Sequence, residues 1–345
     1  MTANNRFLVR LTADFYDAQG SLKYRDIGLN LLGDAGLAVD RVDQHSPELQ
    51  SRQTTGANGL IVLTPRVTAH SLAASGDLLA IGRFGVGFDS VDVAACTAAD
   101  VVLFITAGAV DHSVAEATVG WMLALTHHIR VKDQLVRAQR WDERSQYMGC
   151  ELRGRTLGLI GCGGIGRAVL KLLAGFGMNP PLIHDPYLSP QDIESLGASP
   201  ATLAELLSHA DFVSLHCPLN EQTRNLIAAP ELALMQPSAY LINTARGGIV
   251  DEEALYLTLA ERRIAGAAID CFTVEPPFAP PKLALLDNVL LAPHCIAWTD
   301  ELFREIGRCA CQGMIDLSQG RAPRGVINPS VLTQRGFQAK WRRAE

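Results

Sequence analysis

The sequence predicts an α/β protein built as two doubly wound domains, each a parallel sheet wrapped by helices. Three observations carry this expectation. The chain has 345 residues, more than one ordinary core accommodates. Short apolar runs alternate with helix-like stretches in two separate series. The longest helical pattern falls between those series. With 48% hydrophobic and 19% charged residues, the chain can fill two interiors, and no tract combines low hydrophobicity with high charge.

In the first series, "RFLVRLTADF" (6–15) reads as a strand and "LKYRDIGLNLLGDAG" (22–36) as a helix ending at a glycine. Further strands are expected at "LAVDRVD" (37–43), "GLIVLT" (59–64), "LLAIGRFG" (78–85) and "VVLFIT" (101–106). The long pattern "HSVAEATVGWMLALTHHIRVKDQLVRAQRW" follows, with Ser113 as the expected N-cap and Glu116 completing a capping box. Its first half is apolar on nearly every side, so region 113–140 is read as a domain bridge and as the contact of a homodimer.

The second series comprises "TLGLIG" (156–161), "PLIHD" (181–185), "FVSLHC" (212–217), "AYLINTA" (239–245), "GAAIDCF" (266–272) and "VLLAPH" (289–294). These are short continuous apolar runs, as in strands covered on both faces. A last amphipathic stretch, 299–320, opens on a Thr-Asp cap and is expected to return to the first domain.

Charge and cysteine usage narrow the function classes. The net charge of -6, with Lys and Arg dispersed, offers no footprint for nucleic acid. Eight cysteines occur without a CxxC pair or a His/Cys cluster at zinc spacing, so no metal site is expected, and most read as small buried hydrophobes in a reducing compartment. The opening residues lack a signal-peptide layout and no run reaches the ~20 apolar residues of a membrane span, which makes a cytoplasmic location the expectation.

The most informative local motif is "TLGLIGCGGIGRAV". Gly161, Gly163 and Gly166 form G-x-G-x-x-G after a strand and at the mouth of a helix. Gly161 permits the tight turn, Gly163 lets backbone approach a pyrophosphate, and Gly166 allows close helix-to-strand packing. The next strand ends at Asp185, 24 residues after Gly161, at the distance expected for an acid that accepts the adenosine ribose hydroxyls. A carboxylate there repels a 2'-phosphate, so NAD is favoured over NADP.

Three later strands end in groups suited to hydride-transfer chemistry. "LINTARGG" delivers Arg246, "AAIDCFTVEPP" delivers Asp270 and Glu275, and "LLAPH" delivers His294. His294 can protonate a carbonyl oxygen, and a neighbouring carboxylate such as Glu275 stabilises the charged imidazole. Five prolines between Glu275 and His294 stiffen the loop that aims them. Arg246 offers a planar fork of donors for a substrate carboxylate or a polarised oxygen.

The set "GLIGCGGIGRAV", "HDPY", "NEQTRNLI", "INTARGGIVDEEAL", "AAIDCFTVEPP" and "NVLLAPHCIAWT" resembles the D-isomer-specific 2-hydroxyacid dehydrogenase family, and "IGRFGVGFDSVDVAACTAADVVLFIT" and "VAEATVGWMLAL" extend the likeness over nearly the whole chain. The resemblance implies an NAD-dependent oxidoreductase acting on a small D-2-hydroxy acid or 2-oxo acid, with a catalytic trio of Arg246, Glu275 and His294. It implies cofactor contacts at Gly164, Ile165, Asp185, Thr244, Ala245, Arg246, Asp270 and His294, with Cys217 and Pro218 near the adenine. The substrate carboxylate would meet the amides of Val86 and Gly87. A Rossmann-type nucleotide domain, 110–298, would be inserted into a flavodoxin-like substrate domain, 1–109 and 299–345, across a closing cleft. The loop 140–149 offers Trp141, Tyr147 and Met148 to a partner's active site.

The departures concern the substrate. Phosphoglycerate-specific members carry an Arg-Ser pair where this chain has Val62 and Leu63, with Arg66 further on, so a non-phosphorylated acid of the glyoxylate or hydroxypyruvate type is expected. Cys295 and Ile296 replace the usual small or apolar residues after the histidine. The alternatives that share these motifs are a 3-phosphoglycerate dehydrogenase, a phosphite or formate dehydrogenase-like relative, and an NAD(H)-sensing corepressor-like binding protein.

Overall fold

Residues 7–344 are described by a computed structural model; Arg6, at the head of the first predicted strand, and the opening residues judged for a leader lie outside them. The chain divides into two compact units, one running to Val110 and resuming at Trp298, the other Asp111–Ala297.

The first unit holds β1 (Leu8–Leu11), β2 (Ala38–Arg41), β3 (Gly59–Val62), β4 (Ala80–Arg83) and β5 (Val102–Ile105), all parallel in the order β2-β1-β3-β4-β5. The inner strand β3 is buried along its whole length, which is why it reads as an unbroken apolar run. The first predicted strand stops at Leu11 because Ala13–Phe15 forms a turn of 3-10 helix, with the buried Asp14 accepting the Thr64 amide. The helix expected over 22–36 shrinks to Asn30–Asp34. Upstream, Asp26 accepts the Gly28 amide at 2.8 Å, a local turn that competes with helix.

The returning segment begins with the helix Asp300–Ser318, capped by Thr299 accepting the Leu302 amide. Its buried face includes Ile306, Ala310 and Met314. Asn328 then accepts the Leu103 amide on β5 and donates to the carbonyl of Val101 just before it, which fastens this segment to the sheet.

The second unit holds β6 (Leu157–Ile160), β7 (Leu182–His184), β8 (Ser199–Pro200), β9 (Phe212–Leu215), β10 (Tyr240–Asn243), β11 (Gly266–Ile269) and β12 (Val289–Leu291). They form a parallel sheet ordered β12-β11-β10-β9-β6-β7-β8. The two-residue β8 escaped the sequence reading; it sits at the edge, where Pro200 has no amide to withhold. Strand order reverses at β6, whose neighbours are β7 and β9, and such a switch point opens a crevice at the carboxyl ends of the strands.

The long helical pattern is two helices, Asp111–Thr126 and Ile129–Arg137, broken at His128, which adopts φ +52. The first starts at Asp111, not at the expected Ser113 cap. Asp111 places a negative charge at the positive helix end, and Glu116 faces His112 at 3.6 Å rather than closing a capping box. Ala115, Trp121, Met122 and Leu125 of this helix enter the core of the second unit, beside Val169 and Leu173 of the helix Gly164–Leu173. That packing accounts for much of the apolar character read as a bridge. No helix among the described residues is long and apolar enough to cross a membrane. None of the eight cysteines forms a disulfide, and Cys96, Cys162, Cys271 and Cys311 are buried.

Candidate active site

The glycine loop leaves β6 at the switch point. Gly161 has φ +88, and a Cβ there would come within 2.9 Å of the Cys217 amide and the His216 carbonyl, so the loops after β6 and β9 abut. A Cβ on Gly166 would come within 2.8 Å of the Gly161 carbonyl oxygen. At Gly163 a Cβ would meet nothing within 4 Å. The residue caps the helix Gly164–Leu173 without a side chain, whereas Ser189, Thr202 and Asp251 close the mouths of other helices in this unit. Amides of that first turn are thus left to a ligand rather than to a cap. The Asp111 carboxylate lies against Gly164, and burial raises its pKa.

Asp185, past the end of β7, accepts the Cys162 amide at 2.8 Å and the Tyr187 amide at 2.9 Å. The predicted ribose acid is therefore also a clamp between β7 and the glycine loop. Cys217 and Pro218 follow β9, and burial pushes the Cys217 thiol up to about 11. These features fit a dinucleotide: a helix mouth with no capping side chain, space beside Gly163, and a half-buried carboxylate at the next strand end.

The catalytic candidates lie on the same side of this sheet. Asn243, Ile269 and Leu291 are in register across β10, β11 and β12, and Arg246 and His294 each follow by three residues. His294 Nδ1 lies 2.6 Å from Glu275 Oε2, and Glu275 Oε1 accepts the Phe272 amide at 2.7 Å. Burial pushes the Glu275 carboxyl up. The bonds from His294 and Phe272, with the charges of His294 and Arg246, outweigh it and hold the carboxyl below its ordinary range. An ionised Glu275 can only accept, which assigns the Nδ1 proton to the imidazole and turns Nε2 outward as the exchanging nitrogen.

His294 has φ +54, a conformation unusual for a residue with a side chain. Three bonds from one residue hold it: the Asp270 carbonyl accepts the His294 amide at 2.7 Å, and Asp270 Oδ1 accepts those of Cys295 and Ile296. Asp270 is buried, which raises its pKa against those two bonds.

Comparison with known proteins agrees with this geometry. Residues 119–295 match the NAD binding domain of the D-isomer specific 2-hydroxyacid dehydrogenases. The chain is 39% identical over 270 residues to D-3-phosphoglycerate dehydrogenase of Methanocaldococcus jannaschii, covering 78% of this chain and 51% of that protein. It is 38% identical over 286 residues to glyoxylate reductase of Thermofilum pendens, covering 81% and 83%. The chain belongs to the D-isomer specific 2-hydroxyacid dehydrogenase family. A solved D-lactate dehydrogenase from Aquifex aeolicus, complexed with NAD and lactic acid, superposes with a TM-score of 0.80 at 25% identity over 93% of this chain and 99% of that one. The chain spans about half the length of the phosphoglycerate dehydrogenase it matches.

Within this dehydrogenase frame, the sequence reading missed Asn243 and Gly247, which shape the turn carrying Arg246, and the nearness of Cys271. Asn243, buried at the end of β10, donates to the Arg246 carbonyl and accepts the Ala245 amide, so it shapes the Thr244-Ala245-Arg246 turn. Arg246 in turn donates to the Ala245 carbonyl at 2.7 Å. Gly247 packs directly against the Phe272 carbonyl, where no side chain fits. Cys271 comes close to the Glu275–His294 pair, a proximity that linear spacing does not reveal. Val86 and Gly87 lie in the other unit, past the end of β4, in a loop where Gly85 and Thr106 bond one another.

Proposed function

We propose that this chain is an NAD-dependent oxidoreductase that interconverts a small 2-oxo acid and its D-2-hydroxy acid. The observation that carries the reading is the 2.6 Å Glu275–His294 pair on the sheet whose switch point bears the glycine loop. The helix mouth at Gly163–Ile165 and the carboxylate of Asp185 would hold NAD(H), which supplies or accepts a hydride when bound. His294 gives a proton to the carbonyl oxygen in reduction and takes it back in oxidation. Glu275 keeps the imidazole in one tautomer and stabilises its charge. Arg246 binds the substrate's carboxylate or its polarised oxygen, and the amides of Val86 and Gly87 also serve the carboxylate. The unit Asp111–Ala297 is the nucleotide domain and the remainder the substrate domain.

For the substrate we favour a non-phosphorylated acid of the glyoxylate or hydroxypyruvate type. Val62 is buried at the end of β3, Leu63 follows it, and Arg66 is exposed further on, so the Arg-Ser pair has no counterpart at these positions, while the Arg83 guanidinium beside them is engaged by the Val62 and Phe84 carbonyls. The likeness to phosphoglycerate dehydrogenase at 39% identity supports the second reading. A panel of 2-oxo acids with NADH and NADPH separates them: glyoxylate or hydroxypyruvate is expected to give the highest kcat/KM, with NADH. Preference for 3-phosphohydroxypyruvate refutes the choice.

We also infer a homodimer through region 113–140 and the segment after it. Ile129, Val136, Trp141 and Met148 are large apolar side chains exposed along this stretch, which a second copy would cover. Sedimentation of the wild type against Ile129→Glu/Val136→Glu tests it, and an unchanged mass refutes it.

A further inference from the structure

We propose that Cys271, Glu275 and His294 together form a site for a thiophilic divalent cation, zinc being the fitting case, whose binding silences the proton pair. The second half of this statement rests on the acid/base reading above; the first half does not. Among the described residues these three offer one sulfur, one carboxylate oxygen and one imidazole nitrogen, all within 4.8 Å of one another. Zinc bonds to sulfur at ~2.3 Å and to nitrogen or oxygen at ~2.0–2.2 Å, so tetrahedral donors sit roughly 3.3–3.8 Å apart. Side-chain shifts of an ångström or less close the observed set onto an ion.

The backbone explains the convergence. Cys271 follows Asp270, whose carbonyl holds the His294 amide at 2.7 Å, so thiol and imidazole are carried on strand ends tied to each other. The Phe272 amide folds the Glu275 carboxylate back toward the same point. The thiol forms the buried floor and donates weakly to the Ala245 carbonyl at 3.5 Å, while the Glu275 and His294 side chains are 34% and 44% exposed. An ion therefore reaches the donors from solvent and keeps a water as fourth ligand, the pattern of three protein ligands with one open position.

The charges balance. The Sγ–H bond breaks and its proton leaves to solvent, the imidazole carries its proton on Nε2 instead of Nδ1 so that the Nδ1 lone pair beside Glu275 faces the ion, and the thiolate and carboxylate together offset the two charges of the ion. Asp270, immediately behind, favours a cation. Arg246, whose charge acts on Glu275, opposes one. Once bound, the ion takes the place of the Nδ1 proton and engages Glu275, so the imidazole no longer passes between its charged and neutral forms and turnover stops in both directions. Cys271 has no part in that chemistry, which leaves it replaceable.

The test has two arms on the full chain. Cobalt(II) titration of the wild type is expected to give a thiolate-to-cobalt charge-transfer band, absent in Cys271→Val and, as a second variant, Cys271→Ala. Zinc is expected to lower NADH-driven reduction of the best 2-oxo acid at least tenfold, reversibly with EDTA, while the two variants keep their zinc-free rates within twofold. No band in the wild type, a band that survives in both variants, or equal zinc inhibition of wild type and variants overturns the site. A Cys271-dependent band with turnover untouched by saturating zinc leaves the cation site standing and overturns the acid/base role of Glu275 and His294.

Discussion

His294 meets Glu275 at 2.6 Å while its own backbone stands at φ +54, a combination in which a side-chain bond and a left-handed residue point one imidazole at one place. An L-residue held there costs on the order of 1 kcal/mol or more, and such strain persists only where surrounding bonds over-determine it. General acid–base groups contribute roughly 10²–10⁴ in rate. His294→Ala is expected to lose that much in kcat with NADH affinity changed less than about threefold, read by NADH absorbance and by fluorescence titration. A variant that reduces its best substrate at the wild-type rate excludes His294 as the acid.

Glu275 links the same pair to pH. Its carboxyl is held below the ordinary 4.5, so the folded state binds fewer protons than the unfolded chain between the two values. The resulting stability is fully present above about 4.5, the unfolded value, and is lost as pH falls through the lower folded value. Glu275→Gln keeps the shape and an acceptor for Nδ1 but cannot ionise. The Tm difference between wild type and variant is expected to shrink as pH falls below about 4.5. A difference that stays the same down to pH 3 removes the ionised carboxylate from the argument.

Asp270 carries the strain rather than the proton. Removing its carboxylate leaves the Cys295 and Ile296 amides without their acceptor, which costs ~1–3 kcal/mol and frees the turn that aims His294. Asp270→Ala is expected to lower kcat at least tenfold with KM for the 2-oxo acid within threefold, and Asp270→Asn, which keeps an acceptor oxygen, to recover most of the loss. If alanine and asparagine behave alike, the positioning role fails.

Strand positions were legible because parallel strands covered on both faces must be apolar throughout; β9 and β10 are buried at every residue and both appear in the sequence as unbroken runs. Gly161 and Asp185 directly follow their strands and Arg246 and His294 stand three residues past theirs, so sheet register accounts for their placement, whereas Glu275 lies six residues past β11 and meets His294 through its loop. The turn-shaping role of Asn243 and the turn-holding role of Asp270 were not legible, since their partners are backbone groups, two and three residues away for Asn243 and more than twenty for Asp270, and backbone groups carry no sequence signature. The break at His128 hid for a related reason: helical periodicity continues through 127–128, and only tertiary packing decides where one helix stops and another begins. Cys271 reads as one more small apolar strand residue until folding brings Glu275 and His294 beside it.

The glycine loop separates folding from binding. At Gly161 a methyl group meets the Cys217 amide and the backbone is left-handed, so Gly161→Ala is expected to lower Tm by several degrees along with cofactor binding. At Gly163 the same methyl meets nothing within 4 Å and φ is -74, so Gly163→Ala is expected to fold with Tm within about two degrees of wild type. Its methyl group instead stands where backbone must approach the pyrophosphate, and the Kd for NADH is expected to rise at least tenfold. Calorimetry of each variant with and without NADH reads both quantities together. Gly163→Ala binding NADH as wild type does would mean that the pyrophosphate is held elsewhere than at this helix mouth.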